Sequence, residues 1–256
     1  MLLIDPPAWP AHGRLWSHLV SDTSIAELHA FAERAGLPRR GFEGDHYDVP
    51  EERYAAVVAA GAQPTEAREL VRRLRASGLR LTKRKGDRGL AKVTPVDFPD
   101  GTTAEVDLIA SSRPADADRV FAAMVFVRDA AGDFVVVHSR RRDEWGAPGG
   151  WREGEEPVVE NALREVREEC GLVLTGEALA PVAYERFRQI GGGAGLWRPG
   201  QDLLQVYAAN VDGVRPALTA QLDDTTDRRW VTPDELRALC GHLFWWPVAE
   251  HVIETR

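Results

Sequence analysis

The sequence is poor in the residues that stabilise secreted proteins and in long apolar runs. Only two cysteines, Cys170 and Cys240, occur among 256 residues. Two cysteines exclude a disulfide framework and a four-cysteine zinc site, so a reducing compartment is expected. No apolar run approaches the ~20 residues of a membrane-spanning helix. The opening MLLIDPPAWP lacks the basic lead and long apolar stretch of a signal peptide. We therefore expect a soluble, cytoplasmic protein with no membrane partner.

Basic residues are fewer than acidic residues. There are 32 Lys and Arg against 40 Asp and Glu, which gives a net charge of −8 and a pI near 5.5. This balance argues against a protein whose whole surface binds nucleic acid. Residues 68–92 are an exception, with ten Lys or Arg against only Glu69 and Asp87. Such a segment is more often a solvated surface than an anion-binding one, so nucleic acid remains a less favoured partner.

Changes in pattern along the chain predict two domains joined by a linker. Residues 1–86 have the alternation of short strand and helix expected of a small α/β domain. Residues 87–118 contain a predicted β-hairpin around Pro99-Asp100-Gly101 and then a polar stretch typical of a domain boundary. Residues 119–256, which open with two apolar strands, form the second domain. In the first domain a strand is predicted over 2–5 and helices over 24–35, 51–60 and 65–76.

The second domain contains a glycine turn followed by an amphipathic helix. The helix carries Glu165, Glu168 and Glu169 at positions i, i+3 and i+4, so the three carboxylates project as neighbours from one face. Three like charges repel one another unless a cation lies among them, and Mg²⁺ prefers oxygen ligands of this kind. Spacing alone leaves a metal site and a solvated acidic face equally open.

The stretch from Gly150 to Leu172 resembles the Nudix box, G-x5-E-x7-R-E-U-x-E-E-x-G-U, where U is apolar. The fixed positions are filled without departure by Gly150, Glu156, Arg164, Glu165, Val166, Glu168, Glu169, Gly171 and Leu172. The resemblance extends over residues 119–256. It implies an α/β/α sandwich with a mixed sheet, here preceded by a small α/β domain. It also implies a hydrolase that uses Mg²⁺ or Mn²⁺ to cleave the pyrophosphate link of a nucleoside diphosphate joined to another group.

The same resemblance implies roles for individual residues in the helix and the turn before it. Glu168 and Glu169 resemble direct metal ligands, and the carbonyl of Gly149 resembles another. Glu165 resembles a third metal-facing carboxylate or a base that orients water. The remaining pair, Glu156 and Arg164, resembles the structural ion pair that braces the loop against the helix.

Residues outside the box provide candidates for the general base and for substrate binding. Asp224 and Asp227 lie in a later loop where many relatives carry glutamate; they are either a base or metal ligand, or an ordinary polar turn. Arg140 is expected to hold phosphate. In the glycine-rich stretch 191–200, Trp197 and Arg198 are candidate stacking and charge contacts. The box-flanking tryptophans, Trp145 and Trp151, are expected to pack the loop rather than to bind substrate.

The first domain resembles a small uncharacterised bacterial domain family that occurs alone or fused to Nudix domains. The resemblance rests on LLIDPPAWPAHGRLWSHLVSD and GDHYDVPEERY within residues 1–80, and it implies no activity. Acidic and histidine side chains are concentrated here, and they leave a metal or phosphate site open, although no pair has a recognised ligand spacing. The residues of this candidate site are Asp5, His12, His18, Asp45 and His46.

Three functions are compatible with these patterns. The favoured one is a nucleotide pyrophosphohydrolase that acts on a nucleotide-type substrate. The second is a nucleotide-binding sensor, although sensors built on this fold usually have damaged boxes and this box is intact. The third is hydrolysis at the 5′ end of RNA, for which residues 68–92 are the only support. A homodimer is left open.

Overall fold

The computed structural model describes residues 1–193, 195, 197–219 and 225–255. The chain divides into two compact units, Met1–Lys92 and Val93–Arg256. The described residues form two β-sheets and six α-helices, which confirms the expected mixed α/β class with a separate N-terminal sheet. The finer division at residues 1–86, 87–118 and 119–256 stays a prediction. No helix among the described residues is long and apolar enough to cross a membrane.

The first unit is a small sheet with three helices. Its strands follow the order β2-β3-β1-β5, and β4 also pairs with β3, at residues Trp16 to Leu19. The pairing of β1 with β5 is parallel and the other pairings are antiparallel. The elements are β1 (Leu2–Ile4), β2 (Trp9–Ala11), β3 (Arg14–Ser21), α1 (Ile25–Arg34), β4 (Tyr47–Pro50), α2 (Glu51–Ala59), β5 (Gln63–Pro64) and α3 (Ala67–Ala76).

The predicted first strand and three helices are all present, and local chemistry sets their ends. Helix α1 begins where the Ser24 side chain accepts a hydrogen bond from the backbone N–H of Glu27, as is typical of a serine at the N-cap. The β2–β3 hairpin was not predicted. It turns at His12 and Gly13, which both have positive φ values of 51° and 75°, as a tight two-residue hairpin requires.

The second unit is built on a nine-stranded sheet among the described residues, and one of its strands, Arg88–Asp97, begins in the last residues of the first unit. Its main path is β10-β9-β8-β13-β12-β7-β6, with β11 added to β8 and β14 to β9. The elements are β6 (Arg88–Asp97), β7 (Thr103–Ala110), β8 (Val120–Arg128), β9 (Phe134–Ser139), β10 (Glu144–Gly146), β11 (Gly149–Trp151), α4 (Val158–Cys170), β12 (Ala180–Gly191), β13 (Leu203–Asn210), β14 (Thr225–Val231), α5 (Pro233–Cys240) and α6 (Trp246–Glu254).

The sheet is mixed because β8 and β13 run parallel while their other neighbours are antiparallel. Strand β8 is apolar along its length and buried except at Arg128, as expected for a central strand covered on both faces. Strands β6 and β7 form the predicted hairpin around residues 99–101. Helix α4 packs against β8 and β11, and the box residues lie at this contact.

Helix α4 has sharply defined ends. Pro157 precedes it as the N-cap residue. Gly171 ends it with φ 72°, and a Cβ atom at this position would lie 1.8 Å from Thr219 Oγ1. Only glycine satisfies both the left-handed backbone and this close approach. The helix therefore ends at Cys170, and Glu168 and Glu169 lie in its last turn.

Glu185 in β12 makes the stability of the second unit depend on pH. Its side chain is buried, its Oε1 has no hydrogen-bond partner in the described part of the chain, and burial raises its pKa to about 8. An acid whose folded-state pKa is raised favours folding below its ordinary pKa of about 4.5, and this contribution is lost as the pH rises toward 8.

Replacing Glu185→Gln removes that ionisable group. We expect the free energy of unfolding of the variant, relative to the native protein, to rise by about 1.4 kcal/mol for each pH unit between roughly pH 5 and pH 8. Urea denaturation at several pH values measures this, with the exposed Glu177→Gln as the control. A difference between variant and native protein that does not change with pH would contradict the account.

Candidate active site

The two glycines of β11 bring the box loop close to strand β8 and to helix α4. A Cβ atom on Gly149 would lie 2.4 Å from the carbonyl oxygen of Ala123 in β8. One on Gly150 would lie 2.5 Å from Oε1 of Glu165 in α4. Real Cβ atoms do not approach other atoms so closely. Gly149 therefore allows the strand to pair, and Gly150 leaves room for a carboxylate.

Glu169 is held between that loop and the last strand of the sheet. Its Oε2 accepts a hydrogen bond from the backbone N–H of Gly149 at 2.9 Å, and its Oε1 accepts one from the Thr225 hydroxyl at 3.1 Å. Burial raises the pKa of Glu169, although these bonds and the charges of Arg142 and Arg228 oppose the shift. The carboxylate is thus fixed in place while its negative charge is only partly balanced.

Glu165 lies deeper than the other two carboxylates of the helix face. It is 8% exposed, and burial raises its pKa to about 7, with the charges of Glu168 and Glu169 adding to the shift. The Nη1 of Arg164 donates to Glu165 Oε1 at 2.9 Å and to Glu168 Oε2 at 3.0 Å. The three glutamates therefore share one face of α4, as their spacing predicts, with a single guanidinium beside two of them.

Arg164 also joins the helix to the loop. Its Nε and Nη2 atoms donate to the two carboxylate oxygens of Glu156 at 3.2 and 2.8 Å, and Nη2 donates to the carbonyl oxygen of Trp151 at 2.9 Å. The pKa of Arg164 is raised, above all by the hydrogen bonds to Glu156. The pairing expected for Glu156 and Arg164 is thus present as a two-point contact.

Two further residues, Asn161 and Arg152, brace the loop. The sequence did not identify either of them as a site residue. Asn161 is fully buried in α4 and donates from Nδ2 to the carbonyl oxygen of Trp151 at 3.1 Å. Arg152 donates from Nε to the carbonyl oxygen of Glu156 at 2.9 Å and reaches Val120 O at the start of β8. A polar residue on the buried stripe of α4 was the available signal for Asn161.

The family follows from a comparison of the sequence with known domains. Residues 118–253, more than half of the chain, match the family described as "NUDIX domain". The chain belongs to the NUDIX family. Residues 2–77 match the family described as "Protein of unknown function (DUF4031)", so the expected uncharacterised N-terminal family is also confirmed. Among curated proteins none is significantly similar to the chain.

Solved structures similar to the NUDIX domain are distant. An Ap4A hydrolase from C. elegans is 14% identical to this chain. The alignment covers 51% of this chain and 95% of the hydrolase, with a TM-score of 0.38. A Bacillus subtilis pyrophosphohydrolase, BsRppH, is 19% identical. The alignment covers 54% of this chain and 77% of BsRppH, with a TM-score of 0.37. A bifunctional NMN adenylyltransferase/ADP ribose pyrophosphatase from Francisella tularensis is 18% identical. The alignment covers 55% of this chain and 43% of the bifunctional enzyme, with a TM-score of 0.42. Family membership rests on the domain match and not on these similarities.

The carboxylates of the NUDIX domain fit a hard divalent cation. Members of the family generally depend on a divalent metal. Glu165, Glu168, Glu169 and the peptide of Gly149 offer oxygen donors only, which is the donor set that Mg²⁺ and Mn²⁺ prefer. Burial raises the pKa values of Glu165 and Glu169 even though guanidinium groups lie nearby. A cation among these carboxylates would stabilise their ionised form.

The substrate-side candidates lie in the β9–β10 turn and on strand β14. Arg140 is exposed in the turn between β9 and β10. Arg142, two residues on, carries a charge that lowers the pKa of Glu169. Asp227 is exposed on β14, where its Oδ1 accepts a hydrogen bond from the next backbone N–H. Thr225, which the sequence did not single out, is the residue of this strand that contacts Glu169. Asp224 lies outside the described residues.

Trp197 belongs to an aromatic cluster beside the box loop. Its ring stacks on Phe121 with centroids 5.7 Å apart, and Phe121 also meets Trp151 at 5.0 Å. The expected packing role of Trp151 agrees with this contact. Trp145 likewise packs, with Arg229 4.3 Å above its ring. Trp197 and Arg198 line a surface pocket together with Arg119, Gln189, Gly195, Pro199, Gly200 and Asp202.

The N-terminal candidates are brought together in part. His18 and His46 have ring centroids 5.1 Å apart, and Asp5 and Asp45 each contact one of the two rings. His12 lies apart from them in the exposed β2–β3 turn.

Gly150→Ala tests how the NUDIX loop accommodates Glu165. The obstructing atoms belong to the end of a flexible side chain, so the fold should survive while the Glu165 carboxylate moves. We expect Mn²⁺ affinity to fall roughly tenfold or more, in the range seen when groups that orient metal ligands are lost. Mn²⁺ titration followed by electron paramagnetic resonance measures this.

The matched control for Gly150→Ala is Gly191→Ala, where a Cβ atom meets nothing closer than 4.0 Å. Gly149→Ala provides a contrast, because its Cβ would strike backbone and should lower the melting temperature. Unchanged Mn²⁺ affinity in folded Gly150→Ala would contradict the proposed packing.

Proposed function

We propose that the NUDIX domain is a divalent-metal-dependent hydrolase that cleaves the pyrophosphate bond of a nucleoside diphosphate linked to another group. The observation that carries this proposal is the complete face of Glu165, Glu168 and Glu169 on α4, in which Glu169 accepts a hydrogen bond from the backbone N–H of Gly149. A pyrophosphate is itself an anion, so an acidic site of this kind needs a cation to bind it. The cation, Mg²⁺ or Mn²⁺, supplies a Lewis acid for the phosphate oxygens when bound.

The residues of the site would have different roles in the reaction. Glu168, Glu169 and the carbonyl of Gly149 would hold the cation. Glu165 would be either a third ligand or the group that orients the attacking water. Its Oε1 accepts from Arg164, so Oε2 is the atom that would accept a proton from water. Asp227 and Asp224 remain alternatives as base or ligand.

Recognition of the rest of the substrate would use positive and aromatic groups around the carboxylates. Arg140 and Arg142 precede the box loop, and the effect of Arg142 on Glu169 supports a phosphate contact there. Trp197 and Arg198 would contact the base or the group beyond the diphosphate. Support comes from Phe121, whose ring touches both Trp197 and Trp151 of the box loop. Fold membership alone does not name that group.

The hypothesis of hydrolysis at the 5′ end of RNA is weakened by the ion pairs that basic residues of 68–92 form with acidic residues of the first unit. Arg72 and Arg73 bind Glu69, and Lys83 binds Glu43 at 2.7 Å. Three more basic residues of the segment have acidic partners. These are Arg80 with Asp45, Arg84 with Asp87 and Arg88 with Glu43. Much of the positive charge is therefore already balanced within the unit.

A substrate screen tests the proposed hydrolysis. Hydrolysis would be followed with Mg²⁺ and with Mn²⁺ by chromatography of the products, because cleavage of a pyrophosphate link gives phosphomonoesters or pyrophosphate and need not release free phosphate. The substrates would be nucleoside triphosphates, oxidised guanine nucleotides, ADP-ribose, nucleotide sugars, NADH, dinucleoside polyphosphates and 5′-triphosphorylated RNA. We expect turnover of one class, reduced at least about 100-fold in Glu169→Gln, because a hard cation site loses a charged ligand. Glu160→Gln, an exposed glutamate on the same helix, is the matched control and should retain activity.

The other outcomes separate the alternatives. Turnover that persists in both Glu168→Gln and Glu169→Gln would refute the site. Tight binding of one nucleotide with no turnover of any compound would favour the sensor. Turnover confined to RNA ends, together with binding that weakens steeply with salt, would favour the RNA-end hydrolase.

A further inference from the structure

A cluster of nitrogen and oxygen donors lies in the first unit, outside the NUDIX domain. His18, His46 and Asp48 each offer a ligand atom, and these atoms lie within 4.8 Å of one another. His18 of β3 and Asp48 of β4 are direct partners in the antiparallel register, and His46 immediately precedes β4. The sheet therefore fixes the spacing of the three side chains, which a sequence separation of thirty residues does not reveal.

Each histidine is oriented from behind by a buried carboxylate. Asp5 Oδ2 lies 3.0 Å from His18 Nδ1, and Asp45 Oδ1 lies 2.5 Å from His46 Nδ1. Both aspartates are 1% exposed. This arrangement leaves the Nε2 atom of each ring for another partner, and His46 Nε2 already lies 3.4 Å from Asp48 Oδ1. Histidines that bind metals typically have a carboxylate on the opposite ring nitrogen.

The orienting carboxylates are themselves fixed. Asp5 Oδ1 accepts the backbone N–H of His18, and Trp9 Nε1 donates to Asp5 Oδ2 at 3.2 Å. Asp45 Oδ2 accepts the backbone N–H of Leu81 at 2.7 Å. Hydrogen bonds from the backbone hold both aspartates independently of the imidazoles. The two rings are consequently preorganised rather than merely close.

We propose that His18 Nε2, His46 Nε2 and the Asp48 carboxylate bind a divalent first-row transition ion of the Zn²⁺ or Fe²⁺ class. Two imidazoles and one carboxylate suit these ions better than Mg²⁺, which prefers oxygen ligands. With three protein ligands, a coordination position stays open for water or a further ligand. Asp5 and Asp45 orient the ligands and do not bind the ion, and His12 takes no part.

An ion-pair network without a metal is the competing explanation for this cluster. His46 lies between Asp45 and Asp48, and Arg80 also contacts Asp45. Metal retention separates the two explanations, because an ion-pair network alone holds no zinc.

Metal retention by the full-length, tag-free protein tests the site. The protein would be stripped with chelator, equilibrated with Zn²⁺ in a large excess of Mg²⁺ that occupies the carboxylates of the NUDIX domain, and analysed for zinc after desalting. We expect one Zn²⁺ per chain, and a loss of Zn²⁺ affinity of about 100-fold or more in His18→Gln and in His46→Gln. Co²⁺ absorption provides a second readout, because nitrogen ligation in a low-coordinate site gives intense visible bands.

Controls separate this site from the NUDIX site and from unfolding. His12→Asn removes an exposed histidine of the same unit and should retain one Zn²⁺. Glu169→Gln, in the other unit, should retain it too. Asp48→Asn is nearly isosteric and partly exposed, so it should fold while weakening Zn²⁺ binding. Failure of the native protein to retain Zn²⁺, or zinc that is lost in Glu169→Gln and kept in the folded histidine and Asp48 variants, would overturn the proposal.

Discussion

The NUDIX site depends on how one guanidinium group is shared. Arg164 binds both oxygens of Glu156 and the carbonyl of Trp151, so it fixes the loop to helix α4. The same group contacts Glu165 and Glu168. One positive charge therefore serves several carboxylates, and it cannot neutralise them all. The loop is ordered by this contact, while the face of the helix keeps the negative charge that a divalent cation would balance.

Features set by short sequence distances could be predicted. The helical repeat alone places Glu165, Glu168 and Glu169 on one face, and Gly171 marks the residue at which the helix ends. The paired Glu156 and Arg164 followed from resemblance to the box. The mixed sheet was implied by the resemblance to the Nudix family. The separate N-terminal α/β unit was expected because short strands and helices alternate in residues 1–86.

Contacts between distant segments could not be predicted in this way. Thr225 reaches Glu169 across 56 residues, and only the pairing of β14 with β9 brings it there. Asp48 was not predicted as a site residue because β3 and β4 were not predicted as strands. Without the register of these strands, no feature of the sequence links Asp48 to His18. The alternation in RLWSHLVS and the His12-Gly13 turn were available signals for that hairpin. Sheet register, rather than local propensity, determines which polar side chains meet.

The central claim is that the carboxylates of α4 and the loop at Gly149 form a divalent cation site. Anomalous diffraction from crystals of the full chain soaked with Mn²⁺ tests it most directly. The account predicts an anomalous peak within about 2.3 Å of carboxylate oxygens of Glu168 and Glu169 and of the Gly149 carbonyl. A peak elsewhere, with Arg164 still bridging Glu165 and Glu168 and no density between the carboxylates, would contradict it.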